Sequence, residues 1–330
     1  MSQKAVICGA GFLGSSIAKV LLQTTTKYPQ RRVQLVSRNP KTAHKAIAAS
    51  LASPDEGRRL EHPIEGDITK PDTLTPAFED ADVVINLVGI MHGKPSDFAQ
   101  VQWKGAQNVA KAAERVGAKV IHVSAIGANA SSNVPYARTK WFGEQAVFES
   151  SPSATVVRPS ILFGPGDGFF GRFAKLSKVL PFMPVFGGGR SLFQPVYVED
   201  VARAVECLSR NDETIRAATN GKITEAGGPE GKLFTYRQIM ELVLRYTGRR
   251  RPIISLPYAV GTLQGLLLEQ LPPNLFTLTR AQIEQLKEDN IVNPLPPPNH
   301  CSFEELVKEY GPSSKLTSVH DVLPSYLPYV

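Results

Sequence analysis

Cysteine is sparse. Cys8, Cys207 and Cys301 lie far apart and none belongs to a C-x-x-C pair, which argues against a disulfide framework or a zinc site and fits a reducing compartment. The six histidines are equally scattered, so no metal is implied. No apolar run reaches the length needed to cross a bilayer. Low-complexity tracts are missing and charged residues stand at an ordinary 20%, which argues against disorder. No Asp or Glu precedes Asp55, whereas Lys4, Lys19, Arg31, Arg32 and Arg38 do. Such an acid-poor, hydroxyl-rich opening has the composition of an organelle transit sequence. It overlaps the first folded elements, however, so the expectation is that nothing separable precedes the fold.

With 330 residues, 42% of them hydrophobic, the chain can bury one large core or a core plus a lobe. The net charge of +7 suits anionic cofactors, membrane surfaces or organelle matrices. Nucleic acid is not expected as a partner. The tightest basic cluster, Arg249-Arg250-Arg251, reads as a solvated helix end and not as a basic stripe interleaved with aromatics.

The chain is organised around its beginning. Ala5 to Cys8 is a short apolar run with strand character, followed by Gly9, Gly11 and Gly14 in G-x-G-x-x-G spacing, then by a helical pattern carrying Ile17, Val20 and Leu21. Gly9 lets the chain leave the strand tightly, Gly11 removes a Cβ that would block a pyrophosphate, and Gly14 allows close helix–strand packing. Backbone N–H groups from Phe12 and Leu13 onward then face the phosphates, with the positive end of the helix dipole behind them. The plain alternative is a tight turn. The strand-turn-helix context favours a dinucleotide site.

Arg32 to Val36 reads as a second strand ending in Ser37-Arg38-Asn39-Pro40. Sites for NAD place an acidic residue at this tip for the ribose hydroxyl, and sites for NADP place an arginine there. Here the tip offers Arg38 as a forked, charge-assisted phosphate ligand and Ser37 as a hydroxyl, so NADP(H) is favoured over NAD(H). A surface arginine is the alternative. A helix is expected from Lys41 to Leu51, then a third strand from Ile64 to Thr69. Its Asp67, next to Ile68, either touches the adenine or serves the following turn. Asp82 to Gly89 is a near-continuous apolar run, as in a strand buried on both faces, and Leu87, Val88 and Gly89 would approach the cofactor's inner ribose. One long helix is expected from Ser96 to Val116, with His92 and Trp103 flanking its start as capping or packing groups.

Lys119 to Ser124 is the fifth strand and delivers Ser124 to the carboxyl edge of the sheet, where ligands bind in open α/β folds. A helix beginning at Tyr136 then places Tyr136 and Lys140 one turn apart on one face. Of nine tyrosines, only Tyr136 has a lysine four residues on. A free phenol ionises near 10; a neighbouring ammonium and an oxidised nicotinamide would favour the phenolate. Tyr136 could then exchange a proton with a carbonyl or alcohol oxygen that Ser124 hydrogen-bonds, while Lys140 holds the nicotinamide ribose.

Taken together, Gly9 to Gly14, Asn86 to Gly89, Ser124 and Tyr136/Lys140 resemble a short-chain dehydrogenase/reductase of the extended or atypical kind. Arg158-Pro159-Ser160-Ile-Leu-Phe-Gly164-Pro165 and Gln194-Pro195-Val-Tyr-Val-Glu-Asp200-Val-Ala202 agree with it. More narrowly, His122-Val-Ser-Ala-Ile-Gly-Ala128, Tyr136-Ala-Arg-Thr-Lys-Trp-Phe-Gly-Glu144 and Asp167-Gly-Phe-Phe-Gly-Arg-Phe173 are similar to the NADPH-binding accessory subunits of mitochondrial complex I and their free-standing bacterial relatives. The likeness covers about residues 4–210 well and the tail loosely. It implies a firmly held NADPH, Pro159 at the cofactor, and a structural or assembly role near a respiratory-chain or quinone-synthesis complex. The implied place is mitochondrial, on the matrix side of the inner membrane, with the cytoplasm as alternative. An active NADP-dependent oxidoreductase using Ser124, Tyr136 and Lys140 is the second reading, and a sugar-nucleotide epimerase a weaker third. One departure is that extended members carry Gly-x-x-Gly-x-x-Gly, and Cys8 stands where the first glycine would be.

The expected architecture is α/β: a Rossmann-like doubly wound parallel sheet with a smaller C-terminal lobe. Residues 1–165 would form the NAD(P)-binding core and 166–330 a substrate or partner lobe, with 194–209 packing back on the core. Phe182, Met183 and Phe186 would roof an apolar ligand or fill a core. From about Thr224 the chain reads as the lobe, with a helix from Thr235 to Tyr246. The apolar Ala259–Leu268 helix is too short to span a bilayer and reads as core, or as a membrane-surface or partner-binding face.

Overall fold

The apolar run at the start of the chain becomes β1 (Gln3–Cys8), whose Ala5, Val6, Ile7 and Cys8 are all fully buried. Burial on both faces is what a central parallel strand requires. The computed structural model describes residues 2–23, 30–269, 272, 274–311 and 314–330. After β1 come α1 (Phe12–Leu22), β2 (Arg31–Ser37), β3 (Ile64–Glu65), β4 (Val83–Asn86), β5 (Lys119–Val123), β6 (Thr155–Pro159), β7 (Ile223–Ala226) and β8 (His300–Ser302). They form one eight-stranded sheet in the order β8-β7-β6-β5-β4-β1-β2-β3, and every pairing in it is parallel. The expected Rossmann-like α/β architecture is therefore present. Strand order reverses at β1, which pairs with β2 on one side and β4 on the other. Such a switch point opens a crevice at the carboxyl ends of the strands.

Several elements depart from their expected extents, each for a local reason. The third strand stops at Glu65, because Asp67 Oδ1 takes the Thr69 N–H at 2.9 Å and the Thr69 hydroxyl at 2.8 Å, turning the chain. The expected single helix from Ser96 to Val116 is an α-helical turn at Pro95–Phe98, a π-helical segment at Ala99–Lys104 and α2 (Gly105–Arg115). The helix carrying Tyr136 is α3 (Pro135–Ser150), with proline at its first position, where no N–H is needed. Ile223–Ala226, expected in the lobe, is instead β7 within the sheet.

The chain divides into two compact units. One comprises Met1–Pro159, Glu199–Ala226 and Pro294–Ser314; the other comprises Ser160–Val198, Gly227–Asn293 and Lys315–Val330. The second has its own core, built on Phe163, Phe170, Met183, Phe186, Tyr236 and Leu323 among others, so Met183 and Phe186 fill a core there. Its Gly164–Gly171 turn is pinned by Asp167. That carboxylate accepts backbone N–H groups of Gly164, Phe169 and Gly171 at 3.3, 2.8 and 3.1 Å, and a close hydrogen bond from the Tyr326 hydroxyl. Short strands Met183–Phe186 and Ile253–Leu256 pair in parallel beside that core, and the second leads into α4 (Tyr258–Leu268). Among the described residues, no helix is long and apolar enough to cross a membrane.

Candidate functional site

The turn after β1 is held open by its glycines. Gly9 has φ +106°, a conformation that side chains rarely adopt. A Cβ on Gly14 would lie 2.0 Å from the Gly9 carbonyl oxygen, whereas one on Gly11 would meet nothing within 4 Å. So Gly14 is demanded by packing, and Gly11 faces open space. α1 has Gly11 at its cap position, with no side-chain cap and no acidic residue in its first turn. Its first N–H groups therefore remain available to an anion.

These groups line a cleft of about 340 Å³ formed by Gly9, Gly11, Phe12, Leu13, Gly14, Ser37, Arg38, Asp67, Ile68, Leu87, Val88 and Gly89, every one of them singled out from the sequence. Val36, Gly66, Thr69, Ile90 and Val101 line it as well; they carry no motif of their own and arrive there by folding. Arg38 is exposed at the tip of β2. Burial works to raise the Asp67 carboxyl, but the bonds from Thr69 and the charges of Arg38 and Lys70 hold it below the usual carboxylate value. Asp67 thus serves its turn while also lining the cleft. The uncapped helix start, the open space at Gly11 and the guanidinium at the far wall fit a phosphate-bearing dinucleotide. Pro159 is not among the lining residues; it ends β6, where its carbonyl accepts the Ile126 N–H at 3.0 Å.

Beyond Gly89 stands Lys140. A Cβ on Gly89 would come within 3.3 Å of its Nζ. The ammonium donates to the Val123 carbonyl at 3.0 Å, next to Ser124 at the end of β5. The Ser124 Oγ is buried and has no hydrogen-bond partner among the described residues, so its hydroxyl can donate to a bound group. Burial draws the Lys140 ammonium down to about 8, against the opposing pull of Glu144. Tyr136 packs edge-on to Phe98 at 6.4 Å. Burial pushes its phenol up to about 12, because desolvation penalises the phenolate.

Two residues of this neighbourhood were not singled out as functional. Gln102, on the π-helical segment, is buried; its Oε1 accepts the Ile90 N–H at 3.3 Å and its Nε2 donates to the Tyr136 carbonyl at 3.2 Å. It joins the cleft wall to the start of α3. π-Helical turns recur at functional sites, but one added residue in a helix leaves the hydrophobic spacing almost unchanged. Glu144, fully buried on α3, takes both ends of the Arg158 guanidinium at 2.9 and 2.7 Å. The wider motif around Tyr136 contained it without disclosing its partner. Among the described residues no cluster of His, Cys, Asp and Glu could hold a metal ion.

Comparison with known proteins gives the same picture. Residues 5–223 match the sequence pattern of the NAD dependent epimerase/dehydratase family. The chain is 29% identical over 256 residues to a mitochondrial NADH dehydrogenase [ubiquinone] 1 alpha subcomplex subunit 9 from Arabidopsis thaliana, covering 74% of this chain and 61% of that protein. It is 29% identical over 225 residues to a ceramide reductase from Caulobacter vibrioides, covering 66% of this chain and 68% of the other. The chain spans less than two thirds of the length of the mitochondrial relatives it matches first. In fold it is similar to the UDP-glucuronic acid 4-epimerase of Bacillus cereus in complex with NAD, at a TM-score of 0.68 and 17% identity over 99% of this chain and 98% of the other. With the cradle and the pattern coinciding on the same residues, the chain belongs to the NAD dependent epimerase/dehydratase family, of the extended short-chain dehydrogenase/reductase type.

Proposed function

We propose that the protein binds NADP(H) in the cleft over α1 and serves a structural or assembly role beside a respiratory-chain or quinone-synthesis complex on the matrix side of the mitochondrial inner membrane. The observation that carries the cofactor choice is the β2 tip, where Ser37 and exposed Arg38 line the cleft and no carboxylate follows β2 until Asp55. A guanidinium there offers a charge-assisted grip on a 2′-phosphate, while the α1 N-terminus receives the pyrophosphate. The partner and the compartment rest on the mitochondrial relatives. Isothermal titration with NADPH and NADH tests the cofactor, and native mass spectrometry of protein drawn from its own cells tests the company it keeps. NADPH bound at least tenfold more tightly than NADH, and a retained assembly partner, are the expected results. Equal binding of the two dinucleotides would overturn the cofactor choice, and a lone chain would overturn the assembly role.

A second reading is favoured by one specific observation, the unpartnered Ser124 hydroxyl beside Lys140. In it the protein is an NADP-dependent oxidoreductase acting on a carbonyl or alcohol, and the similarity to a ceramide reductase supports that class. A nicotinamide held in the cleft would supply or accept the hydride. Ser124 would donate a hydrogen bond to the substrate oxygen, Tyr136 would move the proton at that oxygen, and Lys140 would hold position through its bond to Val123. Full rescue of a deletion strain by Tyr136→Phe decides for the structural role; loss of rescue with NADPH binding intact decides for turnover.

A further inference from the structure

Helix α4 is built inside out. An ordinary surface helix turns its large apolar residues inward and its small or polar ones to water. Here the buried residues are Gly261 and Gly265, which let the backbone lie against its own unit. A Cβ on Gly261 would come within 2.6 Å of Ile283 and 2.8 Å of Phe186, and one on Gly265 within 2.8 Å of the Arg280 backbone nitrogen. The large residues stand outside: Val260, Leu263, Leu266 and Leu267 are 45%, 60%, 45% and 64% exposed. Phe276, two residues before the Leu278 carbonyl that approaches Gly265, is 41% exposed. The glycine spacing is what permits this orientation, so the leucine face is not an accident of a loose helix.

Charge is distributed just as unevenly. From Pro252 to Leu268 there is no charged side chain, and Arg249-Arg250-Arg251 stands immediately before that stretch. Arg249 is engaged with the Ala174 carbonyl and the Ser177 hydroxyl. Arg250 and Arg251 are exposed, and Arg251 reaches the Ser177 carbonyl next to exposed Lys178. A basic cluster therefore heads an apolar strand and helix whose Ile254 is also exposed. A protein partner would cover leucines with complementary apolar surface but gives no reason for the arginine head. A bilayer carrying anionic lipid accounts for both, with leucines entering the headgroup boundary and guanidiniums meeting phosphates. At 1.5 Å per residue the helix is about 16 Å long, half the hydrocarbon thickness, so it lies on the membrane and does not span it.

We propose that α4 and the Arg250/Arg251 head form a docking surface for an anionic membrane. The proposal is independent of which dinucleotide the other unit holds. The test is co-sedimentation of the full chain with vesicles of neutral phosphatidylcholine, and with the same lipid containing about a third phosphatidylglycerol. The protein is expected to bind the anionic vesicles and to bind neutral ones weakly. Leu263→Asp with Leu267→Asp should lower binding at least tenfold. Leu263→Ser with Leu267→Ser should do likewise, so that an added negative charge is not the cause. Arg250→Ala with Arg251→Ala should lower binding to anionic vesicles about fivefold per arginine and leave neutral vesicles unchanged. All four side chains are exposed, and an unchanged thermal unfolding curve confirms that the variants fold. Absence of vesicle binding, or binding indifferent to both leucine pairs, overturns the proposal. So does a leucine-dependent dimer that sediments alone and ignores vesicles, which would assign the face to a second copy of the chain.

Discussion

In the proposed NADP(H) reading Arg38 would carry the cofactor choice almost alone, because it is the cation the β2 tip presents to the cleft while the opposing carboxylate, Asp67, is already committed to Thr69. A hydrogen bond to a charged group contributes about 1.5–3 kcal/mol. Arg38→Ala is therefore expected to weaken NADPH about ten- to a hundredfold in calorimetry and to leave NADH unchanged; an equal loss for both would mean that the guanidinium acts on the fold and not on the phosphate. A second residue, His122, reports on pH. Asn86 Oδ1 accepts the Val88 N–H at 3.2 Å, which turns its amide nitrogen to His122 Nδ1 at 3.1 Å. An amide nitrogen can only donate, so Nδ1 accepts and the proton sits on Nε2, which is buried without a partner among the described residues. Burial, helped by the charge of Lys140, draws this imidazole down to about 3. In the unfolded chain it would titrate near 6.5, so its contribution to stability is present above that pH and is lost as pH falls toward 3. Between pH 6 and 4 this term amounts to about 2 kcal/mol. His122→Leu is expected to flatten the fall of the urea midpoint over that interval, whatever it does to stability at pH 7, and an unchanged slope would show that the imidazole takes up its proton as readily in the folded protein as in the unfolded chain.

Among the elements, α3 shows how the helix carrying Tyr136 and Lys140 is seated. A Cβ on Gly143 would lie 2.2 Å from the carbonyl oxygen of Gln102 on the π-helical segment, so the two helices meet backbone to backbone at that point. Gln102 ties the same segment to Tyr136 and Ile90. Gly143→Ala must push α3 away from the segment, at a cost of about 3 kcal/mol, the upper end for overpacking, since backbone cannot rotate aside. The melting temperature should fall and NADPH binding should weaken with it, because Lys140 and Gly89 move apart; a variant as stable as the parent would show that the contact yields freely. Legibility follows from the same geometry. Gly9, Gly11, Gly14, Ser37 and Arg38 could be read in advance because their spacing is local and each glycine has a steric duty there. The Tyr136/Lys140 pair was legible from helical spacing alone. The π-helical insertion and the role of Gln102 were not, since each depends on a partner far along the chain, Gly143 for one and Tyr136 for the other; the early end of β3 is local, but Asp67 reads equally as a strand-tip ligand and as the acceptor of the Thr69 turn.

At the scale of the whole chain, the unit that holds the cleft is assembled from three separated stretches. Strands as short as β7 and β8 have too little pattern to be recognised without the neighbours they complete. The anchoring of β7 is ionic as well as hydrogen-bonded. Arg158 joins Glu144 to Glu225 on β7, the latter 3.3 Å away, and Glu225 lies 3.7 Å from His300 on β8. At the opposite end of the strands, Glu206 sits between two buried guanidiniums, Arg31 at 2.7 Å and Arg210 at 2.6 Å. Arg210 in turn holds the Tyr310 carbonyl at 2.9 Å, and Arg31 holds the Gln3 side chain at 3.1 Å. One carboxylate thus ties the first strand, the second strand and the last stretch of the unit together, remote from the cleft. Glu206→Gln leaves two buried positive charges without that carboxylate, and breaking one side of a buried pair costs about 3–5 kcal/mol. For a unit of this size the midpoint of thermal unfolding should drop by roughly 6–20 °C. Since Glu206 does not touch the cleft, saturating NADPH should restore about 2.7 kcal/mol at a hundred times its Kd, as it does for the parent. A fall in midpoint with the ligand increment preserved would establish that the three stretches unfold as one body with the site they frame. A variant that melts like the parent would mean that the last stretch is not needed to hold the sheet.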